Sequence, residues 1–234
     1  MPTARETLLE AAHTAVGTQP WTGVRMVDVA TAAGVSRQTL YNEFGTKEGL
    51  GAALVDRLVD GFVDGAVRAA AEGGGGGADP AASCAAAAAW MLRTARDEPI
   101  VRAALTGCWG ARMPLPAPTA TPTATGTAPG SENGAGTVVS HEGPPVALRL
   151  TQPGALAATL CERMIDGLSP NGSTGKLGLA CEAGMRIALS FVVAPPVGRP
   201  DEEAVGKIRE VVRALLAAQP ADAASGAYGR ARTA

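Results

Sequence analysis

Aromatic residues make up only 3% of this 234-residue chain. Sheets are enriched in aromatic and β-branched side chains, so their scarcity beside abundant alanine and leucine points to close-packed helices. The two histidines, His13 and His141, have no nucleophile or carboxylate at a recognisable catalytic spacing. The four cysteines, Cys84, Cys108, Cys161 and Cys181, are far apart in the chain and form no Cys-x-x-Cys pair. With no histidine at ligand spacing either, they read as small buried hydrophobes and not as a metal site. No apolar run reaches the roughly 18 residues a membrane span requires, and the N-terminus lacks a secretory pattern. The expectation is a soluble cytoplasmic protein with no membrane partner, in which the sequon-like Asn171-Gly172-Ser173 has no significance. A formal net charge of −2 provides no global positive field, so any contact with nucleic acid must rest on a few placed groups.

Phosphate-binding loops are missing as well. Gly172-Ser173-Thr174-Gly175-Lys176 has no glycine five positions before Gly175, and the glycine run at 73–77 has no lysine after it. These absences together argue against an enzyme and imply no cofactor and no metal. What is present is a 46% hydrophobic content, enough to bury real cores in one large domain or in a small and a medium one.

The helical signals follow in order. Thr3-Ala4-Arg5-Glu6 fits a capping box, and Leu8, Leu9, Ala12, Ala15 and Val16 continue it at helical spacing until Gly17–Gly23 interrupts. Met26–Ala33 reads as a short helix closed by Gly34, Ser36 can cap a third over Arg37–Phe44, and Thr46 a long fourth reaching about Ala71. The glycines at 73–77 predict a flexible loop over 73–80, because each costs about 1 kcal/mol within a helix. A fifth helix is expected over Ala81–Asp97, and Pro99 opens a sixth ending near Arg112. Residues 113–151, rich in Pro, Thr, Ala and Gly over 113–136, read as a loop or a disordered stretch. Helical pattern resumes from about Pro153 to Leu168, again over Lys176–Val193, and a last time from near Pro200 on a stripe of Val205, Ile208, Val212, Leu215 and Leu216. Residues 220–234 read as a tail.

Met26–Phe44 therefore offers two short helices joined by Gly34-Val35-Ser36. A helix-turn-helix asks of such a turn one residue at positive φ, one apolar residue between the helices and one cap, and these three residues supply them. The second helix would then turn Leu40 inward and expose Arg37, Gln38, Thr39, Asn42 and Glu43, side chains of the kinds that pair with base edges and phosphates. A solvated helix face also carries polar residues, so no single side chain decides the matter.

The stretch Ala30 to Leu50 resembles the DNA-binding signature of the TetR family of bacterial transcriptional regulators: Ala32-Ala33-Gly34-Val35-Ser36, then Thr39-Leu40-Tyr41, Phe44 and Lys47-Glu48 fall in register. The resemblance implies an all-α fold, with a three-helix helix-turn-helix domain over 1–50 and a larger helical-bundle domain for ligand binding and dimerisation over 51–219. It implies Arg37, Gln38 and Asn42 as base readers, Thr39 and Tyr41 as phosphate contacts and Lys47 as a phosphate anchor at a helix N-terminus, with Ser36 in the same set. The sequence departs from the family at Arg25-Met26, where a hydroxyl cap is usual; Arg25 could reach a phosphate instead. Glu43 replaces a common aromatic or basic residue and could accept from a cytosine amino group or discourage wrong operators.

The implied function is a ligand-responsive repressor that binds a palindromic double-stranded operator as a homodimer. Ala180, Gly184 and Ala188, small residues every fourth position, together with Ile208, Val212 and Leu215, are the expected dimer interface. Trp90, Met91, Trp109, Met164 and Met185 are the expected pocket for a small hydrophobic effector, although such residues are more often plain core. The competing reading is a helical interaction module that has lost specific DNA binding, which the acidic balance and Glu43 allow.

Overall fold

Thr3 begins the first helix as a capping box requires: its Oγ1 accepts from the Glu6 N–H at 3.2 Å and its own N–H donates to Glu6 Oε2 at 2.7 Å. In the computed structural model, which describes residues 2–75, 78–117, 153–168, 175–195 and 201–218, this helix is α1, Ala4–Thr18. A 3₁₀ turn at Trp21–Gly23 leads to α2 (Met26–Ala32), α3 (Arg37–Phe44), α4 (Lys47–Gly73), α5 (Pro80–Asp97), α6 (Pro99–Thr106), α7 (Pro153–Leu168), α8 (Gly175–Val193) and α9 (Asp201–Ala217). The described residues are all-helical, without strands. None of their helices is long and apolar enough to cross a membrane. Gly76 and Gly77 and residues 118–152, 169–174, 196–200 and 219–234 lie outside the described residues, so the expectations placed there, His141 among them, do too.

The chain divides into two compact units, Met1–Asp64 with Thr94–Thr159, and Gly65–Arg93 with Leu160–Ala234. A cut at residue 50 would fall inside α4, because Leu50, Leu54, Val55, Val59, Phe62 and Val63 are buried in the first unit beside Leu8, Leu9, Val29 and Leu40. Gly51 is one reason α4 lies so close to the 3₁₀ turn: a Cβ there would come within 2.9 Å of the Trp21 ring and 3.0 Å of Pro114.

The sixth helix is shorter than its sequence suggested. It ends at Thr106, where Gly107 takes the left-handed conformation (φ 71°) and its N–H closes on the Ala103 carbonyl at 2.8 Å. The residues after it are used differently: the Arg112 carbonyl accepts from the Trp21 N–H at 2.7 Å.

In the second unit α4 runs on to Gly73, past its expected end at Ala71. Gly73 lies against Ala86 of α5 where no side chain fits, and Gly75 turns the chain at φ 58°. Asp79 then caps α5, its Oδ1 accepting from the Ala82 N–H at 3.0 Å while Oδ2 accepts from Arg209 of α9 at 2.9 Å. Gly184 allows the close approach of α8 to α9, since a Cβ there would lie 2.8 Å from Val212 Cγ2 and 3.5 Å from Ile208 Cγ2.

Candidate nucleic-acid interface

The turn between α2 and α3 is built as its three residues suggest. Gly34 sits at φ 67°, the Val35 N–H donates to the Ala30 carbonyl at 3.1 Å, and Ser36 Oγ accepts from the Thr39 N–H at 3.0 Å. Leu40 is completely buried, which fixes which face of α3 points outward. Arg37, Gln38, Tyr41 and Asn42 are exposed on it, and Thr39 is half-buried with its hydroxyl 2.9 Å from Ser36 Oγ. Gln38 and Asn42, one turn apart, hold each other through Nε2 and Oδ1 at 2.9 Å, so the two amides face solvent as one pre-positioned pair.

Ser36 is occupied as the helix cap, so any role towards DNA would come through the orientation of α3. Arg25 stands at the N-cap of α2 without a side-chain capping bond, as its sequence predicts, and forks onto Asp28 at 2.9 and 3.3 Å. Lys47, at the start of α4, donates to the Thr22 carbonyl at 3.2 Å with its ammonium 5.2 Å from the centre of the Trp21 ring. That contact holds the cation at the helix N-terminus, where the backbone dipole also attracts anions.

Arg5 braces the end of α3 through a contact that sequence reasoning missed. From α1 its guanidinium stacks 4.7 Å from the Phe44 ring and lies 3.9 Å from the Glu43 carboxylate and 3.5 Å from the Glu43 carbonyl. Glu43 is thus engaged by a cation of its own domain. The contact spans 38 residues, and no local pattern announces it.

The other expected residues are distributed differently. Ala180, Gly184, Ala188, Ile208 and Val212 are buried within the second unit, five of the six residues expected at a dimer interface. The small residues of α8 accommodate α9 of the same chain, and only Leu215 keeps partial exposure. The exposed apolar side chains of these helices are Leu179, Val193 and Val211. Of the expected pocket residues, Met91, Met164 and Met185 are 1% exposed in the second unit, Trp90 packs over Gly65, and Trp109 belongs to the first unit. Two cavities of the first unit, about 510 and 620 Å³, are lined by other residues, the larger by His13, Pro20, Glu98, Pro99, Ile100 and Met113 among them. Among the described residues no cluster of three or more His, Cys, Asp or Glu side chains could hold a metal.

Three short helices with a capped glycine turn and a polar outer face on the third define a helix-turn-helix domain. Residues 8–54 match the model of the bacterial regulatory proteins of the tetR family, and this N-terminal domain is a TetR-family domain. It is 45% identical over 60 residues to an HTH-type transcriptional regulator, AlkX, of Mycobacterium tuberculosis (strain ATCC 25618 / H37Rv), a match that spans 26% of this chain and 28% of that relative. The fold is similar to the crystal structure of the TetR family repressor AlkX from Dietzia sp. strain DQ12-45-1b, with TM-score 0.51, 24% identity and coverage of 91% and 95% of the two chains. A TetR transcriptional regulator from Rhodococcus sp. RHA1 follows, with TM-score 0.47, 18% identity and coverage of 92% and 96%.

Proposed function

We propose that the protein is a ligand-responsive transcriptional repressor that binds a palindromic operator as a homodimer and is released by a small hydrophobic effector. The observation that carries this reading is the outer face of α3, where Arg37, Gln38, Tyr41 and Asn42 stand exposed around a fully buried Leu40. Arginine suits the paired acceptors of guanine and the two amides suit adenine, while Tyr41, Thr39 and Lys47 suit phosphates. Arg5 and Lys47 hold the two ends of the unit by ring stacking and backbone contacts, which keeps α3 in a fixed orientation.

The dimer forms through the exposed apolar positions Leu179, Val193 and Val211, with Leu215 at the margin. The effector lodges among Met91, Met164 and Met185, soft side chains that repack readily; because they are closely packed, it enters by parting the helices that carry them. Release follows if the effector prefers a dimer whose recognition helices no longer match one DNA turn, about 34 Å. Localisation with the chromosome, in the cytoplasm, belongs to the same reading.

Fluorescence anisotropy of the full chain against the intergenic DNA flanking its own gene tests it, with an Arg37→Ala/Tyr41→Ala double variant alongside. Nanomolar, competitor-resistant binding by the wild type alone is expected. Equal, weak binding by both proteins would overturn the assignment of α3. For the effector, a thermal-shift panel should show stabilisation by lipophilic compounds, n-alkanes included because the Dietzia repressor of similar fold is implicated in their biodegradation. Stabilisation by charged metabolites alone would exclude a hydrophobic ligand.

A further inference from the structure

Two cysteines separated by 97 positions meet in the core of the second unit. Cys84 of α5 and Cys181 of α8 are both completely buried, with their sulfurs 3.0 Å apart. The encounter depends on how closely these helices pack. Gly184, one turn beyond Cys181, leaves α8 so near α5 that a Cβ there would lie 3.9 Å from Cys84 Cβ, and the α5 face continues as Ala85, Ala87 and Ala88. A disulfide needs its sulfurs at about 2.05 Å, so closing the pair takes roughly 1 Å of movement shared between two side chains and two helices.

We propose that Cys84 and Cys181 are an oxidative modification site, at which a small hydroperoxide converts the pair to an intramolecular disulfide that ties α5 to α8. Two thiols in contact share their protons unequally. With the Cys84 thiol as donor, the hydrogen bond lowers the pKa of Cys181 while that bond and burial raise the pKa of Cys84, and in this arrangement Cys181 is the nucleophile.

Its thiolate attacks one peroxide oxygen, the O–O bond breaks, and the departing hydroxide takes up a proton to leave as water, giving a sulfenic acid on Cys181. The Cys84 sulfur then attacks the Cys181 sulfur, the S–S bond forms as the S–O bond breaks, and the released hydroxide leaves with the Cys84 proton as a second water. Two thiols and one hydrogen peroxide thus become one disulfide and two waters. Full burial limits the oxidant to small neutral molecules and disfavours larger disulfides such as oxidised glutathione. Cys108, by contrast, is exposed after α6, and Cys161 of α7 is buried with its pKa raised by burial, to about 11, which keeps it a protonated, slow thiol. The chemistry does not depend on what α3 recognises.

Peroxide treatment of the full-length Cys108→Ser protein, followed by unfolding, alkylation and peptide mass spectrometry, tests the proposal. The expected product is two hydrogens lighter, has lost two of its three alkylatable thiols and yields a peptide joining Cys84 to Cys181. Dithiothreitol restores it, and Cys84→Ser or Cys181→Ser abolishes it. A cross-link closing so long a loop should also raise Tm by several degrees, about 4 or more. Retention of all three thiols, a link to Cys161 instead, or separate oxidation of Cys84 or Cys181 to sulfinic acid would each overturn it.

Discussion

In the proposed reading, Arg37 is the side chain on which recognition most directly depends. It is exposed at the first turn of α3, and its guanidinium can bridge both acceptors of a guanine. Arg37→Ala should weaken operator binding by about 1–3 kcal/mol, roughly fivefold to over a hundredfold, and relax specificity at one base position, as a base-by-base anisotropy series would show. Two glycines offer a contrast in stability. Gly184→Val forces a side chain into Val212 and should cost about 1–3 kcal/mol. Gly206→Ala, in open space on α9, should gain about 0.5–1 kcal/mol by removing a flexible residue from a helix, and thermal melts of both variants check the pair. Local rules made Gly34, Ser36 and Leu40 legible, because a turn, a cap and a helix period are written in adjacent residues. Arg5 over Phe44, Lys47 over Trp21 and Cys84 against Cys181 were not legible, since each depends on segments brought together only by folding.

Helix boundaries show the same division. The starts of α1, α3 and α7 follow from Thr3, Ser36 and Pro153, whereas the end of α6 is not legible because apolar residues continue past Gly107. Those residues serve instead to tie Arg112 to the 3₁₀ turn. Asp79 gives the element scale its pH dependence. The Ala82 N–H, and then Arg209, hold its carboxyl below the ordinary carboxylate range. A lowered native pKa contributes stability that is present above the unfolded value and is lost as pH falls through the native one. Asp79→Asn should therefore melt below the wild type at pH 7, and the gap should close as the pH is taken below about 4, the ordinary value for aspartate. A gap that persists unchanged in acid would show that the carboxylate charge is not what Asp79 contributes.

For the whole molecule, the all-helical architecture was legible from composition and period, but the division of labour between α8 and α9 was not. Small residues at every fourth position signal close helix approach without saying whether the partner is another chain, and here Gly184 meets α9 of its own. The proposed assembly accordingly moves to the outer faces, and Leu179→Glu/Val211→Glu should convert a dimer to a folded monomer in light scattering with its helical circular dichroism retained. A dimer that survives both charges would place the interface elsewhere. Residues 1–50 hold four basic groups, Arg5, Arg25, Arg37 and Lys47, against five acids. Three of the four are engaged within the domain, so binding should show a shallow salt dependence for a DNA-binding protein.

The central claim is that α3, presented twice by a two-fold assembly, reads DNA sequence. Selection of bound duplexes from a random pool by the full-length protein, with Arg37→Ala/Tyr41→Ala as the control, tests it most directly. The account predicts enrichment of an inverted repeat with half-sites about 10 base pairs apart or a multiple of that, and no enrichment by the variant. A pool that stays random, or the same sequence enriched by both proteins, would contradict it.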